Sequence, residues 1–343
     1  MSGDKIAQST GRKISAGSAT NSILRAVSRS FYISIRILPS RLREPVGLAY
    51  LLARSTDTVA DTAQIARDVR IETLQKLSDL IQGKAPRDSA GDLATSFAPL
   101  QTNTAERKLL ESLPSCLERL AQLDSEDRDD VREVLAKITQ GQMLDLQHFS
   151  NPAEVSALAT PADLDRYTYL VAGCVGEFWT RLCFRHIRKF AAMSEAKMLV
   201  LGKQYGMGLQ LINILRDAGS DLRVGRCYFP EADLTAARMT PSHVLREPER
   251  FQPIYRKWID KAGRDLESGM QYSRAIRNRR VRAGTVLPAL IGARTLALLR
   301  DAGPTALRRN LKVPRRDVRG MIWSLAMTLA SRKSIDTMFQ RFR

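Results

Sequence analysis

A chain of 343 residues with 44% apolar and 26% charged side chains has the make-up of a soluble globular protein long enough for a large core. Its formal net charge of +18 calls for an anionic partner, but with 6% aromatic residues, no zinc-finger spacing and no RNP-like segment, nucleic acid has only charge to support it. Cys116, Cys174, Cys183 and Cys227 are scattered without a CxxC pair and only three histidines are present, which excludes a zinc site or a disulfide scaffold.

Residues 1–20, rich in Ser, Gly, Thr and Lys, read as a disordered tail. They contain no apolar core of signal-peptide type, so the chain is expected in the cytoplasm with reduced thiols. In Ser28–Leu42 the alternation of Ile33, Ile35 and Ile37 is strand-like. No partner strand is evident, and the segment is read as a helix ending before Pro39. Arg29 and Ser30 within it are either a surface pair or phosphate contacts.

Arg43–Asp61 is the first segment with chemical content. Pro45 suits a first helical turn, and the apolar run Val46–Ala53 continues from it. Tyr50, Arg54, Asp57 and Asp61 then fall within an arc of about 60° on an otherwise apolar helix. Two carboxylates one turn apart can share a hard cation, and an arginine a turn earlier can meet an anion held by it. The competing reading is a solvated helix face.

Residues 65–81 follow as an amphipathic helix, 82–104 reads mainly as loop, and 105–123 as a single helix. Ser125–Phe149 is a long helix with an acidic first turn. Gln142 and Asp145 share a face near its end, and Gly141 is either a packing glycine or room for a ligand. A further helix starts at Pro161. Its small residues Ala172, Gly173, Cys174 and Gly176 permit close packing or leave space for a bulky apolar ligand, and Tyr167 and Tyr169 taken alone are packing tyrosines.

The second acidic helix is read as 192–217; continued at helical spacing, Gln210, Asn213, Asp217 and Asp221 fall within about 80° of arc, with Leu209, Leu211, Ile212, Ile214 and Leu215 around them. Four carboxylates around a cleft are costly without cations between them, and oxygen-only ligands favour Mg²⁺ bridged to phosphate. Pro230–Phe251 reads as loop-rich, and 252–300 as two helices. One of these carries the basic run RAIRNRRVRAG, a solvated face or a contact for anionic lipid. The apolar run Met321–Ala330 is shorter than the about 20 residues needed to cross a bilayer, so no transmembrane helix is predicted. Without βαβ alternation, the pattern is one large all-α domain over 21–343 whose acidic helices line a central cavity.

The motifs Ser28–Phe31, Asp57–Asp61, Tyr167–Gly176 and Gln210–Pro230 together resemble the squalene/phytoene synthase family of head-to-head prenyl transferases, in order and spacing over roughly 21–300. The resemblance implies the isoprenoid synthase fold and a diphosphate substrate, with farnesyl diphosphate expected. It makes Asp57, Asp61, Asp217 and Asp221 the residues for Mg²⁺ (or Mn²⁺) and diphosphate. Arg29, Ser30, Phe31, Tyr50, Arg54, Gln142, Gln210, Asn213, Arg216, Arg226 and Tyr228 become substrate contacts, and Tyr167 the proton-transfer residue. NLKVPRRDV, residues 310–318, resembles the NADPH segment of squalene synthases, pointing to Lys312 and Arg315. Squalene synthase is the expectation; a phytoene, dehydrosqualene or presqualene-diphosphate synthase shares the first step. A non-catalytic membrane or assembly factor is the rival of a different class. The eukaryotic enzymes of the family end in a membrane anchor that this chain lacks, so peripheral contact of its basic surface with an anionic membrane is expected instead.

Overall fold

The computed structural model describes residues 38–342 except 63 and 152, together with 24 and 35. The tail at 1–20, and with it Arg29, Ser30 and Phe31, lies outside the described residues, as does most of the expected 28–38 helix, where Ile35 is helical and buried.

The chain is almost wholly helical. After extended Pro39, α1 runs Ser40–Asp61. It begins five residues before Pro45, which therefore sits inside the helix. The carbonyl that Pro45 has no N–H to meet belongs to Arg41, an exposed position open to solvent. α2 (Arg67–Gln82) closes on Gly83, whose φ of 74° lets its N–H reach the Asp79 and Leu80 carbonyls.

The expected loop at 82–104 instead contains α3 (Ser89–Phe97), a short amphipathic helix that buries Ala90, Leu93, Ala94 and Phe97. The expected single helix at 105–123 is two, α4 (Thr104–Glu111) and α5 (Leu113–Gln122). They break at Ser112 because Pro114 cannot continue the hydrogen-bond ladder. α6 is Ser125–His148. α7 (Pro161–Thr168) starts on a capping box between Thr160 and Asp163. It passes through a π-helical stretch, Tyr169–Gly173, into α8 (Cys174–His186).

α9 (Glu195–Arg223) carries the second acidic pair. The loop-rich connection holds α10 (Glu231–Ala236) and the first turn of α11 (Pro248–Ala275), which α12 (Arg279–Ala302) follows. α13 (Arg315–Met327) and α14 (Arg332–Phe342) complete the described chain. The described strands are two residues each, β1 (Ser156–Ala157) and β2 (Arg226–Cys227), paired in parallel with Ser156 opposite Arg226.

Two buried clusters form the interior. The first gathers side chains of α1, α2, α5, α6 and α8; the second gathers α9, α11, α12, α13 and α14. Both draw on α9, α11 and α12: Met198, Tyr272, Ala275 and Val281 belong to the first, the remaining buried core residues of those helices to the second. The segment 279–308 is long and apolar enough to cross a bilayer, but Val286, Leu290, Leu296 and Leu299 are spent on the second cluster. Its basic run is only partly a solvated face, since Arg282 is buried and donates to the Ile276 and Ala330 carbonyls while Arg274 pairs with Asp336 at 2.5 Å.

The small residues of 172–176 serve close packing. A Cβ on Gly176 would stand 1.9 Å from the Gly202 carbonyl oxygen, and one on Gly206 2.3 Å from that of Ala172, so α8 and α9 meet backbone to backbone. Gly176→Val should therefore force these helices apart at a cost of about 3 kcal/mol or more. Thermal unfolding followed by circular dichroism should show a midpoint several degrees lower; an unchanged midpoint would contradict this contact.

Candidate active site

A cavity of about 450 Å³ lies between α1, α6, the π-helical stretch and α9. Its polar wall is Tyr50, Asp57, Asp61, Gln142, Asp145, Tyr167, Gln210, Arg226 and Tyr228, and its apolar wall includes Val46, Val134, Ile138 and Val171. A second cavity of about 420 Å³, lined mainly by apolar groups, shares Val46, Val171, Val175 and Phe178 with the first. Side chains of α1, α6, α7, α8, α9 and β2 line the first cavity; Asp57 and Asp61 of the first acidic helix face it, whereas Asp217 and Asp221 of the second are not among its lining residues.

Arg226 is the charge on which the acids converge. Gly225, at φ 82°, turns the chain sharply out of α9, and pairing of β2 with β1 then fixes Arg226 at the cavity wall. Its guanidinium lies 3.1 Å from the Asp145 carboxylate. It also draws down the proton affinities of Asp61 on α1 and Asp221 on α9, so one acid of each acidic helix lies within electrostatic reach of this cation.

Even so, the carboxylates are short of positive charge. Burial, then the neighbouring Asp61, push Asp57 up to about 6. Burial, then Asp217, push Asp221 up to about 7. Asp61 and Asp145 are raised for the same first reason, loss of water. Gln142 donates from Nε2 to Asp57 Oδ1 at 2.5 Å, while its own Oε1 is buried without a hydrogen-bond partner among the described residues. An orphaned acceptor beside an under-neutralised carboxylate fits a hydrated divalent cation. Among the described residues no three acidic, His or Cys side chains cluster tightly enough to hold a metal by themselves.

Several expected contacts have other partners. Arg54 donates to Glu106 at 2.5 Å and lies 3.9 Å from Asp57; Glu106, 52 residues away, gave no signal in the sequence. Arg216 is engaged by adjacent Asp217 at 2.5 and 2.9 Å. Asn213 is exposed and donates weakly to Gln210 at 3.4 Å. Lys312 and Arg315 are exposed and line neither cavity.

Beside the carboxylates lies an aromatic pair. Tyr167 stacks on Tyr228 with ring centroids 5.0 Å apart, and its hydroxyl donates to that of Tyr228 at 3.5 Å. Tyr228 in turn donates to Asp145 Oδ1. Burial raises both phenols, so both are neutral at physiological pH. Asp145 is the residue that sequence reasoning undervalued: its shared face with Gln142 was legible, but not its grip on Tyr228 and Arg226.

A profile of the squalene/phytoene synthase family matches residues 24–317. The chain belongs to this family, whose all-α isoprenoid synthase fold it shares. It is 31% identical over 240 residues to a bifunctional lycopene cyclase/phytoene synthase of Colletotrichum graminicola, covering 68% of this chain and 38% of the relative. It is 33% identical over 211 residues to the squalene synthase ERG9 of Saccharomyces cerevisiae, covering 61% of this chain and 44% of that one. It thus spans less than half the length of these curated relatives. A solved ligand complex of TcSQS superposes with a TM-score of 0.74 at 20% identity, covering 94% of this chain and 88% of the other.

The raised carboxylates give a pH signature. Where a folded-state pKa lies above the unfolded value, the folded state holds the proton longer, so stability is lost as pH rises through the folded pKa. For Asp57 and Asp221 that window runs from about 4 to about 7. Asp57 keeps 44% of its side-chain surface exposed, so water screens part of the effect. Asp221→Asn should raise the thermal midpoint of ligand-free protein at pH 8 and leave it unchanged at pH 4. Equal shifts at both values would contradict the assignment.

Proposed function

We propose that this protein is a Mg²⁺-dependent head-to-head prenyl transferase that joins two farnesyl diphosphates, with squalene as final product. The observation that carries the reading is a cavity that holds Asp57, Asp61, Asp145 and Arg226 beside an apolar wall, with Asp221 within electrostatic reach of the same guanidinium. Mg²⁺, when bound, supplies the positive charge that makes diphosphate a leaving group.

The chain's own residues account for the rest. Asp57, Asp61, Asp217 and Asp221 would hold the metal–diphosphate, with Arg226 adding a fixed cation where negative charge grows on the departing oxygen. Val46, Val171, Val175 and Phe178, shared by both cavities, exclude water from the allylic cation and align two prenyl tails side by side. Closing a cyclopropane then requires loss of a proton. Tyr167, being neutral, accepts that proton only as its own passes to Tyr228 and that of Tyr228 passes to Asp145. The raised proton affinity of Asp145 suits it as the end of this relay.

The reductive finish rests on the resemblance at 310–318. Lys312 and Arg315 offer two exposed cations three residues apart, which fit a phosphate but form no nicotinamide cradle with the described residues, and no reductive step is derived through them. A phytoene- or dehydrosqualene-type product is the second reading, favoured by the relatedness to the fungal phytoene synthase.

The test is product analysis with farnesyl diphosphate and Mg²⁺, with and without NADPH. Squalene formed only with NADPH supports the full reading. Presqualene diphosphate or dehydrosqualene in both tubes moves the protein to the non-reducing branch, and no turnover with either farnesyl or geranylgeranyl diphosphate overturns the proposal. In the same assay Asp145→Asn should lower coupled product by roughly 100-fold, the usual weight of a general base, while diphosphate release falls much less. A parallel fall in both would remove Asp145 from the relay.

A further inference from the structure

Four large apolar side chains stand out to solvent within eight residues: Ile322, Trp323, Met327 and Leu329, at 50, 66, 65 and 58% exposure. They lie on α13 and the turn after it. α13 buries Met321 and Leu325 and turns Asp317 inward onto Arg294 at 3.1 Å. At about 100° per residue its opposite face, about 140° wide, carries Arg315, Arg316 and Arg319 in the first half and Ile322, Trp323 and Met327 in the second. The following turn is fixed by buried Arg282, which donates to the Ala330 carbonyl at 3.0 Å. Leu329 and Ala330 both adopt positive φ, 48° and 47°. This backbone favours glycine, and here it keeps Leu329 outside while Ala330 is fully buried.

Between residues 302 and 335 the only acid is Asp317, already ion-paired, whereas eight Lys or Arg residues occur there. We propose that this face of α13 docks the protein onto an anionic lipid bilayer, with the helix in the plane of the interface. Trp323, Ile322, Met327 and Leu329 would enter the acyl boundary and the arginines would meet lipid phosphates. Charge decides against a second copy of the chain as occupant, since that would set two arginine clusters of one sign against each other in a protein of net charge +18.

The test is sedimentation of the full chain with vesicles of phosphatidylcholine containing one-third phosphatidylglycerol, against pure phosphatidylcholine. No prenyl substrate is present, so the result stands whatever becomes of the proposed reaction. Wild-type protein should partition onto the anionic vesicles alone, less so as salt rises, and brominated lipid should quench its tryptophan fluorescence. Arg316→Gln/Arg319→Gln should weaken partitioning about fivefold per cation. Trp323→Ser/Met327→Ser should abolish both binding and quenching while keeping native circular dichroism. Wild-type protein that ignores anionic vesicles, or variants that bind as well as wild type, would overturn the proposal. So would a lipid-free dimer that Trp323→Ser converts to monomer in light scattering, which would make the face an interface between copies.

Discussion

Arg226 solves a charge problem and leaves part of it open. Asp61, Asp145 and Asp221 approach the guanidinium from α1, α6 and α9. Burial raises their proton affinities, and one fixed cation offsets only part of the rise. A folded protein tolerates such a site only because the surrounding helices overdetermine it, and the imbalance is the reservoir from which cation and diphosphate binding would draw. Neutralising any one aspartate is therefore expected to help the empty protein and harm the working one.

The fold supplies the rigidity this requires. α8 and α9 touch backbone to backbone at Gly176 and Gly202, and the two-residue ladder between β1 and β2 holds Arg226 against the end of α6. The π-helical stretch Tyr169–Gly173 begins directly after α7, one residue beyond Thr168. Such bulges re-aim the side chains beside them and occur often at functional sites. Here the bulge adjoins Tyr167, and Val171 within it lines both cavities. The tyrosine pair and the wall shared by the two cavities thus meet at the same short segment.

Much of this was legible in the sequence because the signals were local. The spacing of Asp57 with Asp61 and of Asp217 with Asp221, each inside a strongly periodic helix, predicted acidic stripes on two helices; α1 brings Asp57 and Asp61 to the cavity, while α9 reaches it through Gln210. What was missed depends on distant partners or on competition within a segment. Glu106 captures Arg54 across 52 residues, and the hold of Asp145 on Tyr228 spans 83. Pro114 split a helix that apolar periodicity alone joined. At 82–104, turn residues at the start masked the short buried face of α3.

On the proposed reading the aspartate pairs and Arg226 form one site for a metal-bound diphosphate. Calorimetric titration of inorganic pyrophosphate into wild-type and Arg226→Gln protein, with and without Mg²⁺, tests it most directly. The account predicts binding by wild-type protein that requires Mg²⁺ and weakens by at least tenfold in the variant, the loss expected for one charge-assisted contact of about 1.5–3 kcal/mol. Equal binding without Mg²⁺, or an unaffected variant, would contradict it.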